Sequence, residues 1–163
     1  MPNPYNYKFD EDSQSYHFTT KRKIEYRIAF IIDETFSAVS GFEINNIFQI
    51  VVEKVSDELE SLDIRVSATI QSIINAFFTH SQNSMIYVCD DKDKKGMKRF
   101  NIFNRWYQKS NNIDIVKIDN IINCSSNDQN LIIYSSLLYH QDNQNKKTII
   151  EVYNTIQEIL EEK

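Results

Sequence analysis

Hydrophobic and polar residues alternate with a period of two through the first third of the chain. Tyr5, Tyr7 and Phe9 fall on one side, with Asn6 and Lys8 opposite. The polar cluster Asp10-Glu11-Asp12-Ser13-Gln14 reads as a turn, after which Tyr16 and Phe18 resume the alternation. Ile24, Tyr26, Ile28, Phe30 and Ile32 alternate with Glu25, Arg27 and Ala29, the clearest strand signal in the sequence. A fourth strand is predicted from about Phe42 to Val55, with Phe48, Ile50 and Val52 on one side. These segments predict an antiparallel meander with one solvated face.

The period changes near Ser56. Asp57, Glu58, Glu60 and Asp63 form an acidic lead-in, and Ser61 or Asp63 is placed to accept the free N–H groups of a helical first turn. Val66, Ile70, Ile73, Ile74, Phe77 and Phe78 then follow helical spacing, with His80 at the end, where a cation suits the helix dipole. The apolar run Met85 to Cys89 predicts a central strand and Asp90 to Gly96 a charged loop. A second amphipathic helix is predicted over about 97–109, with Met97, Phe100, Phe103, Trp106 and Tyr107 turned inward. Strands follow at about 113–122 and 130–139; the second is apolar on both faces and reads as either a buried strand or a helix. A C-terminal helix over about 146–162 buries Ile149, Ile150, Tyr153, Ile156 and Leu160. Thr148 and Glu151 have capping-box spacing, unless that helix begins a turn earlier. The expected fold is α+β, one domain over 1–163: an N-terminal antiparallel β-meander, packed helices, a central strand and a C-terminal helix.

Composition narrows the chemistry. With 163 residues, 41% of them hydrophobic, the chain can build a core. Its two glycines, Gly41 and Gly96, are too few and too far apart for a phosphate-cradling loop or a nucleophile elbow. Pro2 and Pro4 are the only prolines, so the 17 asparagines are expected to fill many turn positions. Cys89 and Cys124 form no metal-type pair and read as free, reduced thiols of a cytoplasmic protein. No apolar stretch reaches signal-peptide or membrane-span length, so no membrane partner is expected. His17, His80 and His140 lack ligand spacing, and neither metal nor cofactor is expected.

Two segments carry candidate chemistry. In Asp90-Asp91-Lys92-Asp93, a haloacid-dehalogenase-like nucleophile would use Asp91 and Asp93, but the usual following Thr is missing. A calcium loop would place the cation Lys95 at its third ligand position. A nuclease centre would use Asp90-x-Lys92 or Asp93-x-Lys95, here on a loop; the plain alternative is a solvated turn with a helix-capping Asp. The second segment, residues 92–109, holds Lys92, Lys94, Lys95, Lys98, Arg99, Arg105 and Lys109 against Asp93 alone, a net +6 in a chain of net -5, so the other 145 residues sum to -11. Interleaved Phe100, Phe103, Trp106 and Tyr107 suggest a phosphate-backbone patch with stacking aromatics. Helical spacing instead sets Phe100, Phe103 and Tyr107 on one side and Lys98, Arg105 and Lys109 on another, which fits a basic solvated face or a site for an acidic protein. A pI near 5.2 argues against a general nucleic-acid binder. Asp63-Ile64-Arg65 is a cap with a local ion pair, or Arg65 points into a crevice with Asp90.

The pattern Asp63-x-Arg65-x-x-x-Thr69-Ile70-x-x-Ile73-Ile74-x-x-Phe77-Phe78, then Ile86-Tyr87-x-Cys89-Asp90-x-x-Asp93-x-Lys95, then Arg99-x-x-x-Phe103-x-x-Trp106-Tyr107 resembles a family of small uncharacterised bacterial proteins, a domain of unknown function. The resemblance runs over nearly the full length, is most specific in its middle block, and implies a single bacterial-type domain without assigning any residue a role.

The leading expectation is a non-catalytic interaction protein, antitoxin-, immunity- or defence-accessory-like, with a protein partner, nucleic acid as a second candidate and a homodimer open. Its binding residues would come from Arg65, Asp90, Asp93, Lys98, Arg99, Arg105 and Trp106. The alternative is a metal-dependent enzyme or binder of nucleotides or nucleic acid, with Asp90 and Asp93 on the ion and Arg65 and Arg99 on phosphate.

Overall fold

A computed structural model describes residues 2–55, 63–126 and 129–162. Its elements in chain order are β1 (Tyr7–Asp10), β2 (Ser15–Thr19), β3 (Glu25–Ile32), α1 (Thr35–Ser40), β4 (Ile47–Lys54), α2 (Ile64–Phe77), β5 (Ser84–Asp90), α3 (Gly96–Lys109), β6 (Ile115–Ser126), β7 (Gln129–His140) and α4 (Lys146–Glu161). The strands form one seven-stranded sheet in the order β1-β2-β3-β4-β5-β7-β6. β1 to β4 are the expected antiparallel meander. The predicted fourth strand starts later, at Ile47: α1 (Thr35–Ser40) ends on Gly41 in the left-handed region at φ 76°, and residues 42–46 form an irregular segment that reaches β4 through Asn46 at φ 65°. The residues at 129–140 are a strand paired on both sides, β5 on one and β6 on the other, so the helical option does not hold there. Two asparagines, Asn46 and Asn111, take left-handed turn positions, alongside Gln14, Lys23 and Lys94.

Alternating strand residues fill two layers. On one face α2 and α3 pack Ile70, Ile73 and Phe103 onto Ile28, Ile50, Met85 and Leu138. On the other, α1 and α4 pack Phe36, Ile149 and Tyr153 onto Ile47, Ile86 and Leu137. Met85 and Ile86, like Leu138 and Leu137, are sequence neighbours that enter opposite layers, as the two-residue repeat of a strand requires.

β4 and β5 are the one parallel pair among the described strands, and their register holds only from Ile47↔Ser84 to Gln49↔Ile86. β4 runs on to Lys54 and β5 to Asp90, so the strands part toward their C-terminal ends. α2 follows β4 and α3 follows β5, which brings the two helix N-termini to that end of the sheet. Asp63 caps α2 as expected, its Oδ1 accepting the Arg65 N–H at 2.9 Å. Ser61 and the acidic residues Asp57, Glu58 and Glu60 lie outside the described residues. α2 stops at Phe77, so His80 sits in the turn beyond it. α4 begins at Lys146 after Asn145, which leaves the Thr148–Glu151 pair inside the helix instead of capping it.

Candidate interaction surface on helix α3

Helix α3 is seated by its apolar side. Phe103 is buried and stacks on Tyr87 at 4.1 Å, and Phe100 meets Tyr134 at 5.4 Å. Trp106 is half-buried, edge-on to Phe103 at 6.3 Å, and lines a shallow apolar cleft between α2 and α3 with Tyr107, Ile74 and Asn112. The aromatics therefore serve the core, and none of the three rings stands on the surface as a stacking platform.

The loop before the helix is closed on itself. The Asp90 Oδ1 accepts the Lys92 N–H at 3.0 Å, the Asp91 Oδ1 the Gly96 N–H at 3.1 Å, and the Asp93 Oδ1 the Lys95 N–H at 3.0 Å. Arg99 donates from Nη1 to Asp93 Oδ2 at 2.8 Å, and from Nη2 to Asp93 Oδ1 at 3.0 Å and the Asp90 carbonyl at 3.1 Å. The Arg99 fork, with the Lys95 N–H second, holds the Asp93 carboxyl down to about 2. The same pairing pushes the Arg99 guanidinium up. Gly96 is required here, because a Cβ would sit 2.5 Å from the Asp90 carbonyl oxygen. Beneath the loop, burial raises the Cys89 thiol, which donates to the Gly96 carbonyl at 3.4 Å.

Counted from Asp90, the segment holds three carboxylates against seven cations, and the loop uses all three. Of the four cations on α3 itself, Arg99 is used there and three stay outside this arrangement. At about 100° per residue, Lys98, Arg105 and Lys109 fall within ~40° of one another on the outer side of α3. All three are exposed, and none has a carboxylate within ion-pair distance among the described residues. Lys92 and Lys94 extend the exposed basic surface onto the loop.

Arg65 lies elsewhere and is engaged. Its guanidinium donates to the Asn3 carbonyl at 2.9 Å and the Pro4 carbonyl at 3.3 Å and lies 3.9 Å over the Tyr5 ring. Tyr5 in turn donates to Asp63 at 2.7 Å, so the N-terminal segment is strapped to the start of α2. Arg65 and Asp90 share no contact, and among the described residues no group of three His, Cys, Asp or Glu could hold a metal ion.

One charged pair escapes the sequence reading. Lys117 on β6 points under α3, with 6% of its side chain exposed, bonded to Asp119 and lying 5.4 Å from the Phe100 ring and 5.7 Å from the Tyr107 ring. Ser136, across the ladder, donates to the same Asp119 oxygen at 2.7 Å. The signal was the alternation Ile115-Lys117-Asp119, which puts two charges on the strand face that Ile115 buries.

Comparison with solved structures finds a CoA-dependent acyl-homoserine lactone synthase, MesI, at 12% identity over 90% of this chain and 71% of that one, with a TM-score of 0.36, a likeness too distant to carry an argument. No curated protein matches the sequence. Residues 62–155, more than half of the chain and including α2, α3 and the loop between β5 and α3, match a family model, and the chain belongs to that family, a family of unknown function (DUF6169).

Proposed function

We propose that the protein is a non-catalytic interaction module of the cytoplasm that presents the outer side of α3 and the loop before it to an acidic protein partner. An antitoxin-, immunity- or defence-accessory-like role suits such a module. The observation that carries this reading is the row Lys98, Arg105, Lys109, aligned on one side of a well-seated helix and lacking carboxylate partners among the described residues. Carboxylates reach Arg99 and Arg27, yet none among the described residues reaches this row. Unpaired charge of one sign raises the encounter rate with a complementary surface and rejects partners of the same sign. A protein is favoured over nucleic acid because Phe100 and Phe103 are buried and Trp106 is half-buried edge-on to Phe103, which argues against a platform for stacking bases. The test is nuclease-treated affinity capture from the native host with wild type and K98E/R105E as baits. A specific protein retained by wild type and lost by the double reversal is expected; equal retention by both would refute the reading.

A second reading rests on the parting of β4 and β5, since ligands of open sheets settle at the carboxyl ends of parallel strands. It would be a nucleotide or other phosphate-bearing ligand near Arg65. Its weakness is that Arg65, Asp90, Asp93 and Arg99 are all engaged by the chain itself. Calorimetric titration with nucleotides would favour it if wild type gives binding heat that Arg65→Ala abolishes.

A further inference from the structure

The two edges of the sheet are built differently. β1 is four residues long, preceded by Pro2 and Pro4 and ended by the acidic turn at Asp10, which blunts it against pairing. β6 is twelve residues long, holds no proline, and among the described residues is paired on one side only, by β7. Exposed apolar side chains stand along it: Ile121 is 52% exposed, and Ile113, just before it, 87%. α4 packs its apolar side over one face of β6 and β7, meeting Val116 and Ile118, whereas no strand among the described residues pairs with the outer edge of β6.

We propose that this edge pairs antiparallel with the β6 of a second copy, about a two-fold axis normal to the sheet at Ile118. Such an axis keeps both copies' helices on matching faces, so a residue meets only residues of its own parity. With the axis at Ile118, Lys117 stands opposite the second copy's Asp119, and Ile115 opposite its Ile121. Moving the axis to Lys117 or Asp119 brings two like charges face to face, which is destabilising for directly opposed strand residues. Charge complementarity thus selects both the occupant and the register. The pairing joins the Lys117–Asp119 pair of each chain into a four-charge ladder, covers Ile121, and leaves the two α3 helices on one face of a continuous sheet. It stands independently of the proposed partner for α3.

Sedimentation velocity of the full chain tests this. Wild type is expected to sediment at twice its 19.3 kDa mass. Ile121→Lys, which alters only a largely exposed side chain, should weaken association roughly tenfold or more. K117D and D119K are each expected to be monomeric, because each sets like charges across the axis, whereas an equimolar mixture should form a mixed dimer. Circular dichroism of each variant identifies any that fails to fold, in which case Ile121→Lys decides. A monomeric wild type at high concentration, or a dimer unmoved by Ile121→Lys, would overturn the proposal.

Discussion

Arg99 and Arg105 sit six positions apart on the same helix, yet their surroundings differ completely. Arg99 is held by both oxygens of Asp93 and by a strand carbonyl, while Arg105 stands in solvent beside Lys98 and Lys109. Arg65, at the start of α2, repeats the first pattern with the carbonyls of Asn3 and Pro4. Residue type alone does not say whether a cation is free to meet a partner. What decides is whether the fold has already supplied its acceptors. By that criterion Arg99 and Arg65 are structural, and the outer row of α3 is the surface proposed to meet a partner.

The comparison can be broken most severely from beneath. Phe103→Ala removes the buried ring stacked on Tyr87 and is expected to cost about 3–5 kcal/mol of stability. Urea unfolding measures the loss, which should loosen the seat of the outer row while leaving its charges in place. Gly96→Ala acts on the loop that engages Arg99. Its Cβ would meet backbone, not a flexible side chain, so a cost of about 1–3 kcal/mol is expected in the same assay. The smallest effect is a titration. The Asp93 carboxyl ionises near 2 in the folded chain against an ordinary 3.8. Its contribution is therefore in full force above the ordinary value and lost as pH falls through about 2, because the unfolded state then binds the proton more readily. Asp93→Asn should flatten that part of the acid-side stability profile. In wild type the same acidification frees Arg99 and makes it resemble Arg105.

Much of this architecture was legible in the residues. The alternation from Ile24 to Ile32 marked β3, the spacing from Val66 to Phe77 marked α2, and Asp63 marked its start. The separation of aromatics from Lys98, Arg105 and Lys109 on α3 followed from helical spacing alone. α1 was not legible because a six-residue helix burying only Phe36 leaves no periodic trace. The strap between Arg65 and Asn3 joins positions 62 apart in sequence, and no local pattern reports such a contact. Likewise, the inward turn of Lys117 depends on the rings of Phe100 and Tyr107 being carried over β6 by another element.

The outer row of α3 is the surface proposed to meet an anionic partner. Amide chemical-shift mapping during titration with a polyglutamate peptide tests it residue by residue. Shifts concentrated at Lys92 to Lys98, Arg105 and Lys109, and abolished in K98E/R105E, are predicted. Shifts centred on Arg65 and the N-terminal strap, or spread evenly over the chain, would contradict it.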